Sequence, residues 1–486
     1  MMGRIHFETL GCRLNHDESE GAARFFSRTG FPIDMEILTA ASPVSAETIL
    51  AIINTCTVTG KAEQKARRMI RLMLDKFPEA LVIVTGCYAD MDAPAIRALA
   101  PDRISIVPGT NKYVLSLLPQ TMIVGGELCP QSGCFTHDRL DSFIQQTLVR
   151  STPKGIRNNR KSIPVNAFTL YTNVFEKHSR ASLKVQDGCN CECSYCRIHL
   201  ARGASVSLPL EEAVRRAQEL EANGINEIVL TGVNLSQWKG FDEQRQPGGF
   251  GLLLQYLLEK TNHVFFRVSS FYPESIDEKL CTVLSHPRVQ PFFHLSIQSG
   301  SDTILQAMRR PHALSHVDLA IERLRRIKEN PFISCDLIAG FPGEGEAEFE
   351  ATKQLCERSL FAWIHAFPFS PRPGTPAQSM SGKVPERVKG ERVAWLMQKA
   401  VEGKISYIRQ WEGKILPAVV EKSRSQGADV LHAVTGNYLH VECPLAGWNG
   451  PAPESGSLVS IVVGKCLVES IASGAELDCQ GKLVVT

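Results

Sequence analysis

Several things are missing from this sequence, and each absence removes a class of protein. No run of about twenty apolar residues occurs in its 486 residues, so no membrane-spanning helix is expected. The opening MMGRIHFETLGCRLN lacks the apolar stretch of a secretory signal, which makes a cytoplasmic location the expectation. Charge of one sign hardly accumulates: the net charge is +2, so the chain is no polycation. Contact with nucleic acid would have to come from local patches. Internal repeats and low-complexity tracts are absent as well. With 43% hydrophobic and 21% charged residues the composition is that of an ordinary soluble protein. The length suggests about two to four domains.

Cysteine, by contrast, is plentiful. Fifteen cysteines without an export signal read as metal or redox ligands rather than disulfides. Three of them, Cys189, Cys193 and Cys196, stand as C-x3-C-x2-C in KVQDGCNCECSYCRIHLARG. An extended chain advances at most ~3.3–3.6 Å per residue, so a loop this short can curl round one small inorganic cluster. Thiolates hold iron–sulfur clusters, and three ligands on a four-iron cube leave one iron open for chemistry. Two other readings stand beside this one. Structural zinc normally takes paired C-x2-C knuckles and four ligands; no second knuckle is near, although Cys191 could supply a fourth sulfur. Buried inert cysteines are the other, but Asp, Gly, Asn and Glu around these three do not resemble a core strip.

The first 118 residues alternate short apolar runs with amphipathic segments. Strands are expected at 4–10, 49–54 and 81–85, with helices at 15–27 and 59–76, the first capped by Asn15 with Glu18 three residues on. Such alternation argues for an open parallel sheet covered by helices. Cys12, Cys56 and Cys87 each follow one of these strands, in TLGC, INTC and VTGC. Ligands of open α/β sheets bind beyond the carboxyl ends of the strands, so the three thiols can converge on one site. Helix starts nearby would favour thiolates. Packing alone is the competing reading for each cysteine taken singly.

The longer run DGCNxxCxYC followed by ARG resembles the radical S-adenosylmethionine methylthiotransferases, which install a methylthio group on tRNA or on a ribosomal protein. TLGCxxNxxESE, INTCxVT and VTGCYA resemble that family's three N-terminal cysteine motifs. The resemblance implies two 4Fe-4S clusters, a radical one on Cys189, Cys193 and Cys196 and an auxiliary one on Cys12, Cys56 and Cys87. It also implies S-adenosylmethionine as cofactor, lying along Tyr195 and the Gly232 turn, with Gln298 and Arg310 as further candidates.

Strand-like runs at 181–187, 227–232, 264–270, 292–298, 332–339 and 361–367 alternate with amphipathic segments. Six βα units suggest an incomplete (βα)6 barrel with the cysteine loop after its first strand. His294 reads as a strand terminator. Between 128 and 178 periodicity fades, and Lys154, Arg157, Arg160 and Lys161 form a basic strip in an expected linker; Cys129 and Cys134 take no role. A helix is expected from 385 to 410, then short strands at 415–421, 430–434, 438–443 and 458–468 suggest a small β-barrel. Position and TGNYLHVE resemble the TRAM domain, an OB-like RNA-binding module. There Lys414, Lys422, Arg424, His432 and His440 would offer a basic surface and Tyr438 a stacking face.

The expected architecture is therefore α/β throughout its first two parts. Residues 1–125 form the cysteine-bearing N-terminal domain, 126–178 a linker, 179–406 the radical domain, 407–475 the β-barrel and 476–486 a tail. Two departures from the family pattern stand out: ARGASVSLP lacks the later arginines that often follow ARG, and Cys191 sits where the family usually has another residue. FETLGCRLN, KARRMIR and TGVNL are most similar to the branch acting on N6-threonylcarbamoyladenosine at tRNA position 37, with methylthiolation at C2. Relatives acting on isopentenyladenosine or a ribosomal-protein aspartate share most motifs, and a non-catalytic, metal-stabilised RNA-binding protein is the alternative of another class. The implied partners are tRNA and an electron donor such as flavodoxin or ferredoxin, with no membrane and no obligate protein partner.

Overall fold

A computed structural model describes residues 3–151, 166–175, 179–422, 430–446, 448 and 450–484. Two compact units emerge. Met1–Thr172, Gln186–Ser207 and Ser370–Thr375 form the first, and Asn173–Val185, Leu208–Phe369 and Pro376–Thr486 the second. Among the described residues no helix is long and apolar enough to cross a membrane.

The first unit is built on a five-stranded parallel sheet. Its strands are β1 (Arg4–Thr9), β2 (Ile33–Asp34), β3 (Thr48–Thr55), β4 (Leu81–Gly86) and β5 (Ile104–Ile106), in the order β2-β1-β3-β4-β5. β3 and β4 are buried almost end to end, which is why TILAIINT and LVIVTG read as apolar runs without alternation. Helix α1 (Arg13–Arg28) lays Ala22, Ala23 and Phe26 on one face against Ile5, Phe7, Leu50 and Ile52. Helix α2 (Gly60–Lys76) lays Ala66, Ile70 and Met73 against Ile53, Val82 and Val84.

Two local expectations fail here. Asn15 is not the cap of α1; Cys12 holds that position, and Asn15 lies in the first turn with no exposed surface. The stretch expected to lack periodicity contains the helix His137–Ser151, whose Leu140 and Ile144 are buried in the same core as Phe26. A helix carrying so many polar residues gives little periodic signal, although its few apolar ones are fully covered. Lys154, Arg157, Arg160 and Lys161 lie outside the described residues.

In the second unit six parallel strands follow one another in sequence order: Ala181–Lys184, Glu227–Thr231, Phe265–Val268, Phe292–Gln298, Phe332–Ala339 and Trp363–Pro368. They form two three-stranded sheets, linked edge to edge by isolated parallel bridges, Phe266 to Val289 and Phe271 to Leu295. This is the incomplete six-strand barrel the sequence suggests. After the helix Glu386–Arg409 comes a closed five-stranded barrel. Its third strand, His440–Pro444, pairs in parallel with its fifth, Cys479–Val484, and all its other pairs are antiparallel. Within 476–486, expected as a tail, the strand Cys479–Val484 closes the barrel. Cys479 and Leu483 are buried in its core, whereas the sequence run is too short and polar to announce itself.

Candidate iron–sulfur centres in the first unit

The register of the parallel sheet brings the first three cysteines to one edge. Thr9 pairs with Asn54, Asn54 with Thr85, and Thr55 with Gly86, so β1, β3 and β4 end level. Cys12 caps α1, Cys56 follows β3 directly, and Cys87 opens the short helix Cys87–Met91. With this strand order the sheet reverses direction between β1 and β3, the place where open α/β sheets bind ligands. The loops are in contact. A Cβ added to Gly11, at φ +105°, would lie 2.5 Å from Cys56 Cβ and 2.9 Å from its Sγ. One added to Gly86, at φ +95°, would lie 2.3 Å from the Thr55 carbonyl oxygen. Both positions need glycine, for space and for backbone conformation.

The helix-dipole expectation does not decide the thiols' ionisation. Burial pushes the Cys56 thiol up, with Cys12 adding to the effect, and pushes Cys87 up to about 11 despite the cations Arg202 and Lys112.

The C-x3-C-x2-C loop belongs to the same unit. Its base is closed by the antiparallel pair Gln186–Asp187 with Val206–Ser207, by Cys189 N–H on the Gly203 carbonyl at 3.0 Å, and by Gln186 Nε2 on Gly188 O at 2.8 Å and Ser205 Oγ at 2.9 Å. Within the loop, Cys191 N–H donates to Cys189 Sγ and Ile198 N–H to Cys196 Sγ, each at 3.4 Å. Cys196 N–H donates to the Cys193 carbonyl at 3.1 Å. Backbone donors aimed at sulfur are the contacts that tune thiolate-held clusters. The Cys189 thiol is pushed up by its hydrogen bond with Cys191 and then by burial. An all-thiol donor set with backbone N–H on sulfur fits an iron–sulfur cube. Among the described residues no three His, Cys, Asp or Glu side chains surround a point suited to a single metal ion.

What the sequence reading missed is the polar network that binds these loops. Arg202 is buried; its Nη1 donates to Glu18 Oε1 at 3.1 Å and Asp187 Oδ1 at 2.9 Å, and its Nη2 to Asn15 Oδ1 at 2.8 Å and Glu18 Oε2 at 3.3 Å. Lys112 ion-pairs with Glu18 and reaches Asn15 Oδ1 at 3.4 Å. Asn15 Nδ2 donates to the Leu10 carbonyl at 2.8 Å and to that of Thr55 at 3.1 Å. A second knot ties Arg197 to Glu63 at 3.4 Å, with Glu63 also bonded to Arg372 and Thr57. The one available signal was the charged Glu18 on the side of α1 that otherwise carries Leu14 and Ala22.

The remaining candidates lie elsewhere. Tyr195 sits half-buried in the cysteine loop. In the second unit Gly232 follows the strand Glu227–Thr231, and Gln298 ends Phe292–Gln298 in the left-handed region at φ +83°. Arg310 Nη2 donates to the Ser296 carbonyl at 2.6 Å, and the guanidinium lies 4.0 Å over the Tyr272 ring. His294 does not end its strand: it lies inside it, with Nε2 3.1 Å from Asp336 and Nδ1 2.9 Å from Ser334 Oγ.

In the C-terminal barrel Lys422 is exposed, and Lys414 lies 4.7 Å over the Trp411 ring. Arg424 lies outside the described residues. The half-buried Tyr438 ring is packed against neighbours in its own unit. Its ring centroid is 4.5 Å from that of Phe292 and 5.1 Å from the Arg267 guanidinium, because the turn that carries it docks on the six-strand barrel.

Comparison with known proteins agrees with this geometry. The description of the radical SAM superfamily matches residues 183–356, and that of the uncharacterized protein family UPF0004 matches residues 4–108. Enzymes of the former use a 4Fe-4S cluster and S-adenosylmethionine. The threonylcarbamoyladenosine tRNA methylthiotransferase MtaB of Treponema pallidum is 41% identical, over 95% of this chain and 98% of its own. That of Bacillus subtilis is 31% identical, over 90% of both. A tRNA-2-methylthio-N(6)-dimethylallyladenosine synthase of Wolbachia pipientis is 29% identical over 87% of this chain and 89% of its own. The cobalamin-bound radical S-adenosylmethionine methyltransferase TsrM from Kitasatospora setae shares the fold, with a TM-score of 0.50 and 14% identity over 78% of this chain and 77% of its own. Likeness running nearly end to end, through both cysteine regions, places the chain in the radical S-adenosylmethionine methylthiotransferase family.

Proposed function

We propose that this protein adds a methylthio group to C2 of N6-threonylcarbamoyladenosine at position 37 of tRNA. Cys189, Cys193 and Cys196 would hold the radical cluster, and Cys12, Cys56 and Cys87 a second 4Fe-4S cluster. When bound, these groups and S-adenosylmethionine supply the electron, the radical that activates a C–H bond, and the sulfur; a small redox protein such as flavodoxin or ferredoxin is the proposed donor, in the cytoplasm. The observation that carries the reading is the level exit of Cys12, Cys56 and Cys87 from three neighbouring strands, in the unit that also contains the C-x3-C-x2-C loop. The substrate rests on the two relatives named for threonylcarbamoyladenosine, which are more similar to this chain than the dimethylallyladenosine enzyme of Wolbachia.

The chain's own residues bind and orient. The backbone N–H groups of Cys191 and Ile198 steady two of the radical-site sulfurs. Gly11 and Gly86 let the auxiliary loops approach one another. Gly232 and Gln298, just beyond and at the carboxyl ends of second-unit strands, and Arg310, after the helix Asp302–Ala307 of the same unit, are the proposed contacts to S-adenosylmethionine. The closed C-terminal barrel, with Lys414 and Lys422, is the proposed tRNA-binding part; the Tyr438 ring packs against Phe292 within the same unit.

Mass spectrometry of tRNA nucleosides from cells with and without the gene tests the whole reading. Loss of the methylthio form of threonylcarbamoyladenosine, with its precursor accumulating, is the expected result. Loss of the methylthio-dimethylallyl form instead would keep the chemistry and replace the substrate. No change in any tRNA nucleoside would overturn the proposal.

A further inference from the structure

We infer that Arg202 is a positioning residue that fixes the auxiliary cysteine site against the radical-site loop. The inference rests on the two-cluster reading and adds to it the device that sets the relation of the two sites. Its basis is an unbroken chain of hydrogen bonds whose ends lie beside cluster cysteines.

At the radical end, Asp187 Oδ1 accepts from Gly188 N–H at 2.7 Å, and Gly188 precedes Cys189. The same oxygen accepts from Arg202 Nη1 at 2.9 Å. Arg202 Nη2 passes the link to Asn15 Oδ1 at 2.8 Å. Asn15 Nδ2 then grips the carbonyls of Leu10 and Thr55, which lie two residues before Cys12 and one before Cys56. Glu18 closes the arrangement by accepting from both terminal nitrogens, one on each oxygen.

Only arginine suits this position. Its planar fork points donors in several fixed directions, whereas lysine offers one compact ammonium on a flexible stem. Arg202 is paired with Glu18 and Asp187, and Lys112 with Glu18. Arg197, next to Cys196, makes a parallel tie through Glu63 to Thr57, next to Cys56. Group transfer between two sites depends on their spacing, and a displacement of about 1 Å can cost about 10²-fold in rate.

The test uses reconstituted full-length enzyme with tRNA substrate and compares wild type with Arg202→Lys. Three quantities are read: iron per chain, 5′-deoxyadenosine formed per methylthio product, and the magnetic interaction between the reduced clusters by electron paramagnetic resonance. The variant is expected to keep eight irons and to cleave S-adenosylmethionine, while product formation falls about 10- to 100-fold and the inter-cluster interaction changes. A variant with eight irons, a wild-type ratio of 5′-deoxyadenosine to product and an unchanged interaction overturns the inference. If Arg202→Lys does not fold, Asn15→Ala carries the same test, since it cuts the chain of bonds and leaves the ion pairs. Wild-type enzyme that takes up only four irons overturns the two-cluster reading itself, a result visible before any variant is made.

Discussion

Glu227→Gln should loosen the joint between the six-strand barrel and the C-terminal barrel. Glu227 has no exposed surface. Its two oxygens accept from Arg267 Nε at 2.8 Å and Nη2 at 2.9 Å, from Gln290 Nε2 at 2.9 Å, and face Arg180 Nη1 at 3.6 Å. Arg267 spends its remaining donors on the carbonyls of Gly436, at 3.0 Å, and Thr435, at 3.1 Å, in the C-terminal barrel. An amide in place of the carboxylate leaves Arg267 buried without its counter-charge and turns an N–H toward its donors. Breaking a buried ion pair from one side costs about 3–5 kcal/mol. That loss corresponds to roughly 10²- to 10⁴-fold in the opening equilibrium. A single melting temperature is poorly defined for a chain of several domains. The suitable assay is native-state amide exchange on the strand Val430–Thr435, which reads local opening.

The same group predicts an acid dependence. Burial would raise the Glu227 carboxyl, but Arg267, Arg180 and Gln290 outweigh it and hold the group below its ordinary 4.5. A depressed carboxyl contributes stability that is complete above the unfolded value and is lost as pH falls through the folded one. Protection of the joint in the wild type should therefore hold at neutral pH and fail below about pH 4.5, with Glu421, held down to about 2, failing last. The variant should lack the Glu227 component. Protection within about 0.5 kcal/mol of wild type at pH 7 would refute the reasoning.

Other perturbations follow from the same contacts. Cys193→Ala should abolish 5′-deoxyadenosine formation, and substantial cleavage by a reconstituted variant would remove Cys193 from the cluster. Gly86→Ala must place a methyl 2.3 Å from the Thr55 carbonyl at φ +95°; it should destabilise the loop by about 1–3 kcal/mol and lower iron content toward that of one cluster. Cys191→Ser keeps the backbone donor to Cys189 Sγ, so iron content should be unchanged; loss of a cluster would make Cys191 a ligand. Gly436→Ala, whose Cβ would lie 2.4 Å from Gln290 Oε1, should reproduce in milder form the loosened exchange of Glu227→Gln.

The sequence alone determined what is local. C-x3-C-x2-C names its own ligands because they fall within one loop, and runs such as TILAIINT and LVIVTG declare buried parallel strands because both their faces are covered. Cysteines placed just after such strands already implied a shared edge. The tertiary structure alone decided which distant groups meet. Arg202 and Glu18 are separated by 184 residues, and no periodicity encodes their pairing. Asn15 looked like a helix cap because Asn, Glu and a following amphipathic run satisfy that local pattern; Cys12 took the cap and freed Asn15 to hold two strand ends. Tyr438 looked available for a base because its neighbours in sequence are polar; Phe292 and Arg267, more than a hundred residues away, pack against its ring. The strand Cys479–Val484 acquires its identity only from the barrel it closes. Spacing along a chain specifies ligands and burial patterns, whereas charge pairing, docking and closure depend on surfaces that exist only once the chain has folded.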